Sequence, residues 1–150
     1  RGFMYNPSSK AQDAFRSIVS SMLPSEYLPR QEENSKHGSH LFQENDFLAM
    51  TIIFRLPRPK RHFVASKPGP GRLRPTAPGK LHPTRTDVDN LAKFVLDSLN
   101  DLLYVDDRQV VSLHAAKFLD SEGNCTGATE VYIRSLEEED TDGHFYKMME

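Results

Sequence analysis

The segment "RTDVDNLAKFVLDSLNDLLYVDDRQVV" (residues 85–111) combines a helical apolar stripe with a pair of acidic residues at each end. One pair, Asp87 and Asp89, precedes the predicted helix, and the other, Asp106 and Asp107, follows it. A solvated surface can hold such acids by chance, whereas a site for a divalent cation requires them. The rest of the chain helps to decide between these two interpretations. The stripe consists of Leu91, Phe94, Val95, Leu99 and Leu102.

The periodicity of the flanking segments predicts an α+β fold. Residues 6–23 carry apolar side chains at helical spacing, so we expect a helix that packs into the core. Residues 47–56, "FLAMTIIFRL", alternate in polarity and predict a strand with one buried face. Residues 109–118 and 128–136 predict two further strands, joined by a turn as an antiparallel hairpin. We therefore predict a small mixed or antiparallel sheet packed by two helices.

Length and composition indicate one soluble domain that spans residues 1–150. No run approaches the roughly 20 apolar residues needed to cross a bilayer, so no membrane partner is expected. The single Cys125 excludes an internal disulfide and is compatible with an intracellular protein. The chain opens without Met and without a leader-like segment, as expected for an excerpt of a longer protein.

Charge is strongly segregated along the chain. Residues 1–46 carry five basic residues (Lys or Arg) and six acidic ones (Asp or Glu). Residues 47–86 carry nine basic residues and no acidic one, whereas residues 87–150 carry five basic and fifteen acidic residues. A long stretch without one acid predicts contact with an anion, because solubilising surfaces normally mix both signs. The candidate DNA-binding cations are Arg58, Lys60, Arg61, Arg72, Arg74, Lys80 and Arg85.

Two segments are expected to be irregular. Residues 57–83 hold seven of the ten prolines and predict a basic loop that is mobile in isolation and contributes little to the core. Long loops of this kind are usually functional or disordered. Residues 137–150 form an acidic run that predicts a frayed tail.

The spacing of the acids allows them to share one cation. In extended chain Asp87 and Asp89 point to one side, and Mg²⁺ commonly takes one or two carboxylates together with waters and phosphate oxygens. A helix from Asn90 to about Asn100 is roughly 16 Å long, and residues 101–107 span up to roughly 23 Å. The chain is therefore long enough to return one member of the second pair to the helix start, with its neighbour pointing away. Alternatively, Asp89 only caps the helix and Asp87 is solvated.

Lys93 lies one turn into this helix, on its polar side. It either pairs with Asp97 at i+4 or stabilises the charge that develops on a phosphate in a transition state.

Other known metal- and phosphate-binding motifs do not match this sequence. An EF-hand loop beginning at Asp87 would need Gly in place of Ala92 and Glu in place of Ser98, no P-loop string is present, and no C-x-x-C pair can hold zinc.

The string "DVDNLAKFVLDSLNDLLYVDDRQVV" (residues 87–111) closely resembles the signature of the RusA family of Holliday-junction resolvases. The shared pattern is an Asp-x-Asp-Asn-Leu opening, a Lys three residues after the Asn, a continuation Asp-x-Leu-Asn, and an Asp-Asp followed by apolar strand residues. The resemblance implies a small α+β homodimer that cuts four-way DNA junctions symmetrically with Mg²⁺ or Mn²⁺. It carries the metal ligands to Asp87, Asp89 and Asp107 and the essential lysine to Lys93.

The leading hypothesis is therefore a metal-dependent, structure-selective endodeoxyribonuclease of DNA recombination and repair. A second hypothesis is a junction- or duplex-binding module that cuts nothing, and a third is a phosphate- or metal-binding protein without nucleic acid. The retained acids disfavour the second, since carboxylates without a cation repel phosphate, and the acid-free basic stretch disfavours the third. Family members usually begin with a strand before the first helix, whereas this chain opens just ahead of that helix.

Overall fold

The computed structural model describes residues 7–24, 40–68, 72–83, 86–120 and 127–138. The predicted helices and strands are present, with bounds that differ from the prediction by at most two residues. They are α1 (Pro7–Met22), β1 (Phe47–Leu56), α2 (Val88–Leu99), β2 (Val110–Leu119) and β3 (Ala128–Leu136). No helix in the described ranges is long and apolar enough to cross a membrane. Three features named above lie outside the described residues: Arg85, Cys125 and residues 139–150 of the acidic tail.

The three strands form one mixed sheet in the order β2-β1-β3. The end of β2 meets the end of β1, where the backbone N–H of Asp120 donates to the carbonyl of Leu56 at 2.9 Å, so these strands run parallel. The start of β3 also lies at the end of β1, where Gly127 comes close to Pro57 and Arg55, so these two run antiparallel. The predicted hairpin of β2 and β3 is wrong, because β1 lies between them.

The order of the sheet follows from its connections. A parallel pair requires a crossover, and the chain between β1 and β2 contains α2, which provides it. The described residues on either side of the β2–β3 link, Asp120 and Gly127, both lie at the end of β1, and strands on opposite sides of a central strand are two strand spacings, about 10 Å, apart. Two antiparallel strands with a short link have the same sequence pattern whether they are neighbours or separated by one strand. Periodicity alone therefore did not distinguish the two arrangements.

The central strand β1 carries a continuous buried face. Leu48 and Ile52 are 0% exposed, Met50 is 2% exposed and Phe54 is 4% exposed, as the alternation predicted. Ala49, on the opposite face, is buried as well. Full burial of each large apolar side chain contributes about 1.5–3 kcal/mol to the free energy of folding. The strand whose pattern was clearest is therefore the one that anchors the sheet.

The chain divides into two compact units, each assembled from separate segments. One unit comprises residues 1–49, 92–112 and 134–150, and the other comprises residues 50–91 and 113–133. Helix α2 and all three strands contribute residues to both units, and the single domain inferred from length stays a prediction. The buried apolar side chains of the first unit are Leu48, Ala49, Ala92, Val95, Leu99, Leu102, Leu103, Tyr104 and Leu136, and those of the second are Met50, Ile52, Phe54, Phe63 and Leu119.

Helix α1 contacts α2 within the first unit through a small part of its surface. The rings of Phe15 and Phe94 meet edge to face, with their centroids 5.8 Å apart. Much of the apolar stripe of α1 is exposed, since Ile18 is 61% and Met22 is 78% exposed. The prediction that α1 packs into the core is therefore wrong. Helical periodicity reports an apolar stripe but not the surface that covers it.

The basic segment, residues 57–83, has defined local structure in its described parts. Residues 60–62 and 64–66 form two short 3-10 turns. Phe63, between these turns, is 1% exposed and forms a backbone bridge with Leu73. The expectation that this segment contributes little to the core is wrong, because its residue Phe63 is one of the largest fully buried side chains among the described residues. Its mobility in isolation stays a prediction.

Arg58 differs from the other cations of the basic segment because it is buried. Only 9% of the residue is exposed. Its guanidinium donates to the backbone carbonyl of Asp120 and, at 2.7 Å, to that of Pro78. Arg58 therefore joins the basic segment to the residue that follows β2, and it has a structural role that its sequence position did not indicate.

Substitution of Arg16 tests how α1 is attached to α2. Its guanidinium donates to the carbonyls of Ser98 at 2.8 Å and Asn100 at 2.7 Å, at the C-terminal end of α2. Such carbonyls lack partners within their own helix, and a cation suits the negative end of the helix dipole. Arg16→Ala is expected to lower the free energy of unfolding by about 1.5–3 kcal/mol. Urea titration followed by circular dichroism measures this change.

Lys10→Ala is the matched control, because Lys10 is an exposed cation on the same helix. It is expected to change the free energy of unfolding by less than about 0.5 kcal/mol. Equal effects of the two substitutions would contradict the role assigned to Arg16.

Candidate active site

The first acid pair lies at the N-terminal end of α2. The carbonyl of Asp87 accepts a hydrogen bond from the backbone N–H of Leu91 at 3.1 Å, so Asp87 directly precedes the first turn. Asp89 lies within that turn, because the helix begins at Val88. The prediction that Asp89 caps the helix is therefore wrong, since the helix starts two residues earlier than expected. Both acids are exposed, and the positive end of the helix dipole stabilises them.

The segment after α2 folds back onto the helix. Asp101 adopts a positive φ of 57°, which begins the reversal. The hydroxyl of the buried Tyr104 donates to the carbonyl of Leu96 at 3.0 Å. The backbone N–H of Asp107 donates to Oδ1 of Asn100 at 3.1 Å. These two bonds place Asp107 beside the last turns of α2. The return of this acid to the start of the helix, which the chain length allows, stays a prediction.

Gln109 holds the segment of the second acid pair in place. The residue is buried, with 8% of its surface exposed. Its Oε1 accepts from the backbone N–H groups of Val105 at 3.0 Å and Asp106 at 3.2 Å. Its Nε2 donates to the carbonyls of Gln43 at 2.6 Å and Asp46 at 3.1 Å. One amide thus joins the chain before β1 to the chain that carries the acids.

The two members of the second pair have different environments. Asp106 caps a short 3-10 turn, because its carboxylate accepts from the backbone N–H of Arg108 at 2.9 Å and pairs with Nε of Arg108 at 3.2 Å. That backbone hydrogen bond is the main reason that the pKa of Asp106 lies below its usual value. Burial first, then the hydrogen bond and charge of Asp106 and the charge of Asp97, raise the pKa of Asp107. Of these two acids, Asp107 is therefore the one whose negative charge is less compensated.

Asp97 also belongs to the candidate site. Its sequence position predicted only a partner of Lys93 and not a metal ligand. Its charge acts on Asp107, and it also contributes to the raised pKa of Tyr104, after burial and the charge of Asp107. Asp89, Lys93 and Asp97 recur every four residues along α2, which places them on one face of the helix. That spacing was the signal that could have identified Asp97.

The chemistry of these acids fits a divalent cation. Carboxylate oxygens are ligands that Mg²⁺ and Mn²⁺ prefer, and the crowding of acids around Asp107 is a conflict that a cation offsets. Within the part of the chain that the structure describes, no three His, Cys, Asp or Glu side chains are grouped so that they could hold a metal. The convergence of Asp87, Asp89 and Asp107 on one cation, with Lys93 acting beside them, therefore stays a prediction.

The predicted DNA-binding cations differ in exposure. Arg58 is buried and holds two carbonyls, as described above, and Arg85 lies outside the described residues. Arg74 is exposed, although its Nε also donates to the carbonyl of Phe63 at 2.9 Å. The cations that present their charge to solvent are thus Lys60, Arg61, Arg72, Arg74 and Lys80.

Comparison with protein families gives a match over most of the chain. The family model for endodeoxyribonuclease RusA matches residues 5–134. The chain belongs to the RusA family. The match includes both acid pairs, Lys93 and the whole basic segment, so the resemblance seen in residues 87–111 is confirmed. Endodeoxyribonucleases are the class of enzyme that this family model describes.

One curated relative is similar to part of this chain, and its name states no activity. It is the "Uncharacterized protein YqaN" of Bacillus subtilis (strain 168), which is 46% identical over 66 residues. The alignment covers 44% of this chain and 39% of that protein. The chain therefore aligns with less than half of the length of this relative.

The electrostatic conflict at Asp107 predicts a trade-off between stability and metal binding. Asp107→Asn removes one negative charge from the acid cluster and introduces a side-chain amide that can donate a hydrogen bond to Asp106. Without metal, in EDTA, this variant is expected to melt at a higher temperature than the natural protein. Added Mg²⁺ is expected to raise the melting temperature of the natural protein more than that of the variant. Differential scanning fluorimetry measures both effects.

Asp106→Ala is the matched control for the neighbouring position. It removes the cap of the 3-10 turn, so it is expected to lower the melting temperature in EDTA. A fall in the melting temperature of Asp107→Asn in EDTA would refute the repulsion assigned to Asp107.

Proposed function

We propose that this RusA-family protein is a magnesium-dependent, structure-selective endodeoxyribonuclease that resolves four-way DNA junctions in recombination and repair. The observation that carries this proposal is the anchored acid cluster around Asp107, in a chain whose family is that of an endodeoxyribonuclease. The reaction is hydrolysis of a phosphodiester, in which water attacks phosphorus and the 3′ oxygen leaves. The products carry a 5′ phosphate and a 3′ hydroxyl.

Asp87, Asp89 and Asp107 are the residues that would hold Mg²⁺, with Mn²⁺ as an alternative. The bound cation supplies activation of water and stabilisation of the leaving oxygen. The hydrogen bond from the backbone of Asp107 to Asn100 fixes the position of this ligand before any cation binds. Asp106 is excluded from this set because its carboxylate already caps the 3-10 turn.

Lys93 is proposed to stabilise negative charge on the phosphate as the transition state forms. It is exposed and lies on the same face of α2 as Asp89 and Asp97. The exposed cations of the basic segment have a different task. They offset the repulsion between DNA phosphates and the acids, and they release counterions from DNA on binding.

A homodimer is part of the same proposal. A four-way junction has two strands to cut, and a two-fold dimer presents two equivalent sites. The exposed apolar side chains of α1, Ile18 and Met22, offer apolar surface that an isolated protomer leaves in water. Sedimentation velocity of the natural protein and of Ile18→Glu distinguishes a dimer that uses this helix from a monomer.

Replacing an acid by its neutral amide, Asp→Asn, tests the proposed chemistry. Asp87→Asn and Asp107→Asn are expected to abolish cleavage of a four-way junction in Mg²⁺ and to leave junction binding unchanged or tighter. The reason is that each substitution removes a metal ligand and also relieves repulsion of phosphate. Nicking assays and gel-shift titrations on the same junction, in Mg²⁺ and in EDTA, measure the two effects.

Asp106→Asn is the matched control, because it changes the adjacent carboxylate and keeps a side chain that can cap the turn. It is expected to retain most of the cleavage activity. Full activity of Asp87→Asn or Asp107→Asn would refute the assignment of the metal ligands. Junction binding by the natural protein without any cleavage in Mg²⁺ or Mn²⁺ would instead support a non-cleaving DNA-binding module.

The basic segment predicts a salt-dependent affinity for DNA. The double variant Lys60→Ala/Arg72→Ala is expected to bind junctions more weakly and to flatten the plot of log affinity against log salt, by about 0.9 for each phosphate that the variant no longer neutralises. Fluorescence anisotropy at several salt concentrations measures the slope. Arg58→Ala serves as a contrasting variant, because its guanidinium holds backbone carbonyls, and it is expected to lower thermal stability. An unchanged slope in the double variant would place the DNA path elsewhere.

A further inference from the structure

A cleft in the second unit has the features of a ligand site that the proposed function does not use. It consists of two hollows, of about 510 and about 280 Å³, that share Arg61, His62 and His82 as lining residues. The larger has the volume of a small-molecule site. Thr86 adds a hydroxyl to the larger hollow and Thr76 adds one to the smaller. The apolar wall of the larger hollow consists of Leu56, Pro57, Pro59, Pro83 and Leu119.

His62 is a buried polar residue that lines both hollows of this cleft. The residue is 7% exposed, and its Nδ1 is buried with no hydrogen-bond partner in the described part of the chain. The backbone on both sides is fixed, because its N–H donates to Pro59 and its carbonyl accepts from Arg74, both at 2.9 Å. Buried polar atoms are normally paired, so the unused hydrogen-bonding capacity of this cleft-lining side chain favours a ligand.

The charges around the cleft favour an anion. Burial first, then the charges of Arg58, Arg61 and His82, lower the pKa of His62. The imidazole of His62 is therefore neutral at neutral pH, with one N–H donor and one acceptor. The guanidinium of Arg61 remains positively charged. No acidic side chain is among the described residues that line either hollow.

We propose that this cleft is a subsite for one unstacked nucleotide of a DNA strand. The phosphate binds at Arg61 and His82, and the base enters the larger hollow against its apolar wall, with its polar edge towards His62 and Thr86. The proposal rests on the proposed function, since it takes the ligand from a DNA substrate. It adds a nucleotide-selective contact to a basic segment that otherwise recognises phosphate charge alone.

The composition of the cleft favours a nucleotide over a simple anion. Inorganic phosphate would use the cations but would leave the apolar wall of the larger hollow in contact with water. A base and its sugar cover such a wall, because both present apolar surface to it. A base inside a duplex is already stacked and paired, so only an unstacked nucleotide can enter. The cleft is therefore suited to a strand at a distorted position, such as the centre of a branched junction.

Imidazole signals of the full chain give a direct test. Thymidine 5′-monophosphate is added in EDTA, and the ring signals of His62 and His82 are followed by nuclear magnetic resonance. Both signals are expected to shift in a saturable way. Inorganic phosphate and thymidine, each alone, are expected to bind about tenfold more weakly or worse. Absence of shifts, or equal affinity for inorganic phosphate, would overturn the nucleotide subsite.

Two variants test the assigned contacts, with Lys10→Ala as the control. Arg61 lines both hollows of the cleft, whereas Lys10 is an exposed cation on α1 that lines neither. Arg61→Ala is expected to weaken binding of thymidine 5′-monophosphate about tenfold, and Lys10→Ala is expected to leave the affinity unchanged. His62→Phe keeps an aromatic ring and removes its polar edge, and is expected to weaken binding as well. Equal effects of Arg61→Ala and Lys10→Ala would overturn the proposal.

Competition experiments identify the source of the nucleotide. A short single-stranded oligonucleotide is expected to displace thymidine 5′-monophosphate, whereas the same sequence as a duplex, at equal phosphate concentration, is not. Displacement by the duplex to the same extent would show a general phosphate site and would overturn the subsite. This readout is independent of cleavage. A chain that binds the nucleotide but never cuts junctions would refute the proposed function alone, and one that cuts but shows no imidazole shift would refute the subsite alone.

Discussion

The candidate active site depends on the buried amide of Gln109. This side chain satisfies two backbone N–H groups in the segment of Val105 and Asp106 and two carbonyls in the segment before β1. Buried backbone groups without partners are costly, so the four bonds act together to hold the two segments in one register. The position of Asp107 follows from this register, because its backbone N–H then reaches Asn100. An amide with both donors and acceptors is required here, since neither a carboxylate nor an apolar side chain could make all four bonds.

The acidic cluster and the basic segment each concentrate charge of one sign, and they differ in how that charge affects the stability of the fold. Burial, and after it the acids Asp106 and Asp97, raise the pKa of the Asp107 carboxyl group, which destabilises the ionised protein in the absence of a cation. The basic segment concentrates cations, yet it buries Arg58 and Phe63 and so gains local structure. Functional sites commonly retain such local conflicts, and the rest of the fold compensates for them. Here the buried face of β1 supplies apolar stabilisation that does not depend on either charge cluster.

Most elements of this fold were predictable from local pattern, and the same kind of pattern indicated the candidate site residues. The large apolar residues at every second position of residues 48–56 predicted β1, and the predicted bounds are those of the structure, because a strand half covered by a core imposes a period of two. The spacing of the acids and Lys93 in residues 87–111 was specific enough to indicate the RusA family, which the match over residues 5–134 confirmed. These features are local: each depends on the order of side chains along a few turns or one strand.

Tertiary structure was needed wherever the outcome depended on residues distant in sequence. The order of the strands, the exposure of Ile18 and the burial of Arg58 all depend on which surfaces meet, and helical or strand period carries no information about the partner surface. The roles of Gln109 and Asn100 are of the same kind, since an amide in sequence gives no sign of the backbone groups that it will bind. Sequence was therefore sufficient to indicate the acids as candidate site residues, whereas only the folded chain distinguished the capping carboxylate of Asp106 from the crowded one of Asp107.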